Sequence, residues 1–171
     1  LRLEGLNQLQ GSNSFILRGG IDEAVPGAAL EISGQVTLEA ASTHSGPTRL
    51  SSGVLQCYGA MTNTVFIEVA TNAVLTLAAD FSTLTNFGRL NIVPESQARP
   101  ETSRLFGQGL VCHLSSTTSV SLIDYPALDS TDPQDGGRLH SHLVVSGPVV
   151  LAGRFEVESD LFEALRFTII E

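Results

Sequence analysis

Lysine is absent from this 171-residue chain, so all nine basic residues are arginines, and 18 acidic residues leave a formal net charge of −9. Scattered arginines on an acidic chain provide no clustered basic surface for phosphates, which excludes DNA and RNA as expected partners. Charge of either sign is scarce, at 16% of residues against about 25% in ordinary globular proteins. Every apolar run falls far short of the roughly 20 residues that a membrane-crossing helix needs, so no membrane insertion is expected in this segment. Cysteine is limited to Cys57 and Cys112, which permits one disulfide at most. A bridge and two buried free thiols both remain open, because pairing needs Cα atoms within about 7 Å. Neither a basic-then-apolar leader nor an initiator methionine opens the chain, and Leu1 starts inside a strand-like phrase. A piece of a longer or processed protein is the expectation.

What the chain does have is 42% hydrophobic residues, enough for a continuous core, together with frequent Gly, Ser, Thr, Ala, Leu and Val. These recur in a phrase. Leu30-Glu31-Ile32-Ser33-Gly34-Gln35-Val36-Thr37-Leu38 returns as Leu143-Val144-Val145-Ser146-Gly147-Pro148-Val149-Val150-Leu151, and more loosely across Leu1 to Leu9. A period-2 apolar run broken by glycine and then resumed lets a strand turn a corner and bury a new row. Related strand phrases start near residues 65, 90 and 110, and no segment sustains a 3.6-residue period. Recurrence at about 20 to 35 residues predicts a repeat architecture. The expected fold is all-β, a right-handed parallel β-solenoid with coils of irregular length, with a β-sandwich as the alternative.

The chain reads as a single solenoid segment with three loop excursions, at 42–52, 94–108 and 125–140. Each is polar or rich in proline, and irregular insertions on a rigid scaffold are where binding usually resides. Asp160 to Leu165, capped by Ser159 or Asp160, is the one helix-like stretch.

Val69-Ala70-Thr71-Asn72-Ala73-Val74-Leu75-Thr76-Leu77, followed by Leu84-Thr85-Asn86-Phe87-Gly88-Arg89-Leu90-Asn91-Ile92, resembles the coils of bacterial surface proteins of the haemagglutinin and autotransporter passenger type. Leu143 to Phe167 is similar to the closing coils of such passengers, and the likeness covers about two thirds of the chain. It implies a rigid extracellular or cell-surface rod, structural or adhesive, contacting adjoining domains or subunits at its ends and a glycan or another surface protein along its side. Irregular coils and the presence of cysteine depart from the passenger pattern.

Chemistry is sparse. Asp129, Asp132 and Asp135, followed by Gly136-Gly137, are the calcium candidates, since calcium takes several carboxylates on a flexible loop; an acidic solvated loop is the simpler reading. His140 and His142 would share one strand face as a metal pair needs, without a third ligand at a fixed spacing. A sugar-cleaving β-helix would draw on Asp80, Asp124, Glu68 and Arg89, which form no spaced cluster. The expectation is therefore a non-enzymatic module without a cofactor, with a carbohydrate-active enzyme or a glycan- or calcium-binding module as the alternative.

Overall fold

A computed structural model describes residues 1–93, 104–122, 125–126, 138–139 and 142–159. The described residues form sixteen strands and no helix. In chain order these are β1 (Arg2–Leu3), β2 (Leu6–Leu17), β3 (Asp22–Glu23), β4 (Ala29–Leu38), β5 (Thr48–Cys57), β6 (Ile67–Val69), β7 (Ala73–Leu77) and β8 (Phe81–Asn86). They continue as β9 (Arg89–Ile92), β10 (Arg104–Cys112), β11 (Thr117–Leu122), β12 (Tyr125–Pro126), β13 (Arg138–Leu139), β14 (His142–Val145), β15 (Val149–Leu151) and β16 (Arg154–Ser159). All pair in parallel except β12 with β13. Twelve belong to one curled sheet, so the fold is an all-β parallel solenoid in which each coil lays its strands on those of the coil before.

Register shows the stacking directly. Asn7, Leu30, Thr48, Ile67, Leu84, Leu110 and Val149 are successive partners in one column. Ile32, Leu50, Val69, Asn86 and Cys112 form the neighbouring column. Beyond the corner a second face stacks Val36, Leu55, Leu75 and Leu90, with Leu38, Cys57, Leu77 and Ile92 beside them. Side chains alternate across a strand, so these columns fall on the same side on every coil and, between the end members Asn7 and Val149, which are not buried, make one core running along the axis. Burying each leucine contributes roughly 1.5–3 kcal/mol.

The corner between the two faces is made by glycine. Gly34 and Gly53 are register partners with φ of 99° and 84°, a left-handed conformation that L side chains rarely adopt. A third, shorter face carries Ile21 opposite Ser42 and Met61 opposite Phe81, and Phe81 fills the space beside Gly107 on the next coil.

The repeated phrase maps onto this frame unevenly. Leu30 to Leu38 is nearly all of β4, and its structural equivalent one coil earlier is Asn7 to Leu17, not Leu1 to Leu9. Leu143 to Leu151 spans β14 and β15, but Leu143 pairs with Leu105 while Val149 pairs with Leu110. Gly147 therefore turns a different corner from Gly34, packed against the Gln108 carbonyl.

The expected excursions also shift. Residues 48–52 belong to β5 and 104–108 to β10. Within 125–140, the described residues are the short antiparallel pair β12 and β13. The helix-like stretch at 160–165 lies outside the described residues.

Candidate functional site

Segment 42–48 reads as a solvated loop, yet Ser42, His44 and Thr48 are all buried. Each satisfies the others. Ser42 Oγ pairs with His44 Nδ1, and Thr48 Oγ1 sits 2.8 Å from His44 Nε2. Thr64 Oγ1 extends the network, donating to the Gly46 carbonyl and lying 3.4 Å from Thr48 Oγ1. Burial depresses the His44 pKa, with the Glu23 carboxylate acting in the opposite direction. A hydroxyl paired with an imidazole has the chemistry of a nucleophile and its base, but at 0% exposure for His44 no substrate reaches it. This cluster closes the connection between β4 and β5 from within.

Glu23 clamps the same connection from outside. Its Oε2 accepts from the backbone N–H groups of Ser45, Gly27 and Ala28, and its Oε1 from the Ser45 hydroxyl at 2.7 Å. The Ser45 backbone and hydroxyl contribute most to holding the Glu23 carboxyl below its ordinary range.

The second face presents its outer side to solvent. Ile16, Thr37, Gln56, Thr76, Asn91, Ser119 and Glu156 are successive register partners, a ladder with one side chain per coil at the strand spacing of about 4.8 Å, of which Ser119 is buried and bonded to Glu156. Thr37 donates its hydroxyl to Gln56 Oε1 at 3.2 Å. Charge reaches it at three places: the pair Arg18–Glu39 beside its start, Arg89 bonded to Asn91, and Glu156 in its last position, paired with Arg154.

At the first coil the ladder meets a bulge. Between the pairs Gly11–Gly34 and Phe15–Val36, residues 12–14 of β2 stand opposite the single residue Gln35 of β4. Bulges re-aim side chains and interrupt pairing. Here the bulge opens a cleft of 290 Å³ lined by Ser14, Gln35, Val36, Thr37, Val54 and Gln56. A second cleft of 390 Å³, on the other side of Ser14 and Val36, is lined by Gln8, Gln10, Asn13 and their apolar neighbours. Neither lining contains a charged side chain.

The residues singled out from sequence are dispersed. Glu68 lies on the first face, ion-paired to Arg49 at 3.0 Å. Asp80 accepts a hydrogen bond from the Phe106 backbone N–H at 2.8 Å, tying one coil to the next. Arg89 is on the second face, with its Nε donating to Asn91 Oδ1. Asp124, Asp129, Asp132, Asp135 and His140 lie outside the described residues. His142 is in β14, and the exposed His113 packs its ring 4.9 Å from that of Phe87. Among the described residues no group of three His, Cys, Asp or Glu side chains converges as a metal site would require.

Cys57 and Cys112 are free, buried thiols on different inward columns and on coils that are not adjacent. Cys57 Sγ donates to the Gly59 carbonyl and Cys112 Sγ contacts Thr118 Oγ1. Burial pushes the Cys57 pKa up to about 12 and raises that of Cys112.

Sequence reasoning did not find the cleft. Its only trace is the polar run Gln10 to Ser14, which interrupts the apolar alternation where the bulge forms. Compared with protein-family models, curated proteins and solved structures, the chain matches none.

Proposed function

We propose that this chain is a structural or adhesive module of an extracellular or cell-surface protein, a rigid rod whose side makes the contacts. The observation that carries the reading is the unbroken column from Asn7 through Leu30, Thr48, Ile67, Leu84 and Leu110 to Val149. Parallel ladders and stacked side chains along one axis resist bending and hold an outer face in fixed register. The polar ladder from Thr37 to Asn91 supplies such a face. Exposed apolar side chains on the first and last described coils, among them Leu6 and Val149, suit stacking by adjoining domains or subunits. The likeness of the coil phrases to haemagglutinin and autotransporter passengers points the same way.

No observation on the described residues favours a carbohydrate-active enzyme over this reading. Glu68 and Asp80 are held on different sides of the coil by partners of their own, and two opposed carboxyl groups are what glycoside cleavage requires.

The test is retention under flow. Beads coated with the folded chain should stay on a cultured cell layer at shear that removes beads coated with the heat-denatured chain. Equal loss of both kinds of bead, or release of reducing sugars from polysaccharides incubated with the chain, would overturn the reading.

A further inference from the structure

We infer that the bulge cleft and the polar ladder below it form a binding site for an extended, uncharged oligosaccharide lying along the rod axis. The inference rests on the adhesive reading above and names the chemistry of its ligand.

Three observations converge on that class. First, the cleft is lined by two carboxamides, two hydroxyls and two valines: Gln35, Gln56, Ser14, Thr37, Val36 and Val54. Carboxamides and hydroxyls donate and accept at once, as sugar hydroxyls require, and the half-buried Val54 offers apolar surface to the C–H side of a ring while Val36 closes the floor from the core. Second, charge is kept away from the cleft. The nearby ionic groups are paired with each other, Arg18 with Glu39, and the chain carries a net charge of −9. An anionic glycan would find no cation in the cleft, and a cationic ligand no carboxylate. Third, the site continues. Below Gln56 the ladder offers Thr76 and Asn91 at one polar side chain per coil, Asn91 also accepting from Arg89. That step of about 4.8 Å is close to the advance of one pyranose along an extended chain. Tyr58, just beyond β5 and 49% exposed, supplies an aromatic ring beside the row.

Within the cleft, Gln56 is oriented for the task. Its Oε1 accepts from the Thr37 hydroxyl, which fixes the amide and presents its nitrogen as a donor. Gln35 stands opposite the bulge, so the extra residues of β2 and the carboxamide of β4 form the two walls of one opening.

The experiment is a titration of the isotopically labelled chain with cellohexaose, laminarihexaose, mannohexaose and chitohexaose, read by amide chemical shifts. At least one should shift the amides of Gln35, Thr37 and Gln56 along a saturating curve. Gln35→Ala with Gln56→Ala should weaken that curve at least tenfold while the melting temperature stays within the range of other surface variants. The proposal is overturned if none of the four sugars produces saturable shifts, if the shifts map to another face, or if the double variant binds like the parent. Should the double variant fail to fold, the shift map of the parent chain decides alone. Beads that still adhere while all four sugars leave the spectrum unchanged would sink this site and leave the adhesive reading standing.

Discussion

Gly53 lies directly on Gly34, one coil apart, so close that a β-carbon on Gly53 would collide with the Gly34 backbone. Both residues are in the left-handed region, at φ of 84° and 99°. The corner that joins the two faces is thus built from backbone against backbone, with no side chain between.

Replacing Gly53 with alanine combines a strained φ with a collision that no rotamer change relieves. Each effect alone costs about 1–3 kcal/mol. Gly53→Ala should lower the unfolding free energy by more than about 2 kcal/mol, measured by urea denaturation. At Gly27, where φ is also positive but a β-carbon meets open space, the same substitution should cost less. Equal costs at the two positions would show that packing of the corner is not what matters.

Acid should loosen the connection between β4 and β5. His44 has a folded pKa below its ordinary 6.5, so the neutral ring is favoured by folding. The stability this provides is present above about pH 6.5 and is lost as pH falls through the folded value, because the unfolded chain then binds more protons. Glu23, lowered from 4.5, adds a second loss below that pH as its carboxylate is protonated and its four hydrogen bonds weaken. Urea midpoints should therefore fall from about pH 7 to about pH 5 and fall further below pH 4.5. His44→Gln should flatten the upper part only. A parent profile that is level between pH 7 and pH 5 contradicts this account of the buried network.

Ser82 is 1% exposed, and its hydroxyl has no hydrogen-bond partner among the described residues. A desolvated, unmatched hydroxyl costs about 1–3 kcal/mol. Ser82→Ala should raise stability by about 1 kcal/mol, read as a higher urea midpoint at unchanged slope. A loss of stability would mean that the hydroxyl is satisfied in solution.

The two thiols should be silent in the folded state. With Cys57 pushed up to about 12 and Cys112 also raised by burial, neither offers thiolate to a reagent at neutral pH. A disulfide reagent such as dithionitrobenzoate should label both only as the protein opens, and reductant should leave the melting temperature unchanged. Rapid labelling of either cysteine, or a fall in melting temperature with reductant, would contradict two free buried thiols.

The fold was legible where a single residue type is forced by geometry. In Asn86-Phe87-Gly88, the buried Asn86 accepts from the Gly88 N–H at 3.0 Å and donates to the Thr117 carbonyl; only a small residue fits where Gly88 approaches Ala70 and Ala73. The phrase around Gly34 was equally plain. Its apparent copy at Gly147 was misleading as to position, since any corner of a solenoid asks for apolar rows on either side of a glycine, and the letters do not say which corner. Gly53, the true neighbour of Gly34, stands just past the stretch 42–52 expected to be a loop, outside any copy of the phrase.

The polar parts were harder to read for a physical reason. Ser42, His44, Thr48 and Thr64 look like solvent-facing letters one at a time, and become core residues only because stacking brings their donors and acceptors together. The bulge at residues 12–14 is likewise a property of the pairing with Gln35, not of the strand itself. Function expected in the loops was sought in carboxylates, whereas the cleft is lined by carboxamides and hydroxyls on strands.

The outer row is continuous, with Thr37, Gln56, Thr76 and Asn91 side by side in that order. Interstrand nuclear Overhauser effects between amide and α protons of the labelled chain test this directly. Parallel contacts linking the strands of Thr37 to Gln56, Gln56 to Thr76 and Thr76 to Asn91 are the predicted result. Antiparallel contacts, or a strand inserted between any two of these, would contradict the solenoid and remove the face on which the proposed function stands.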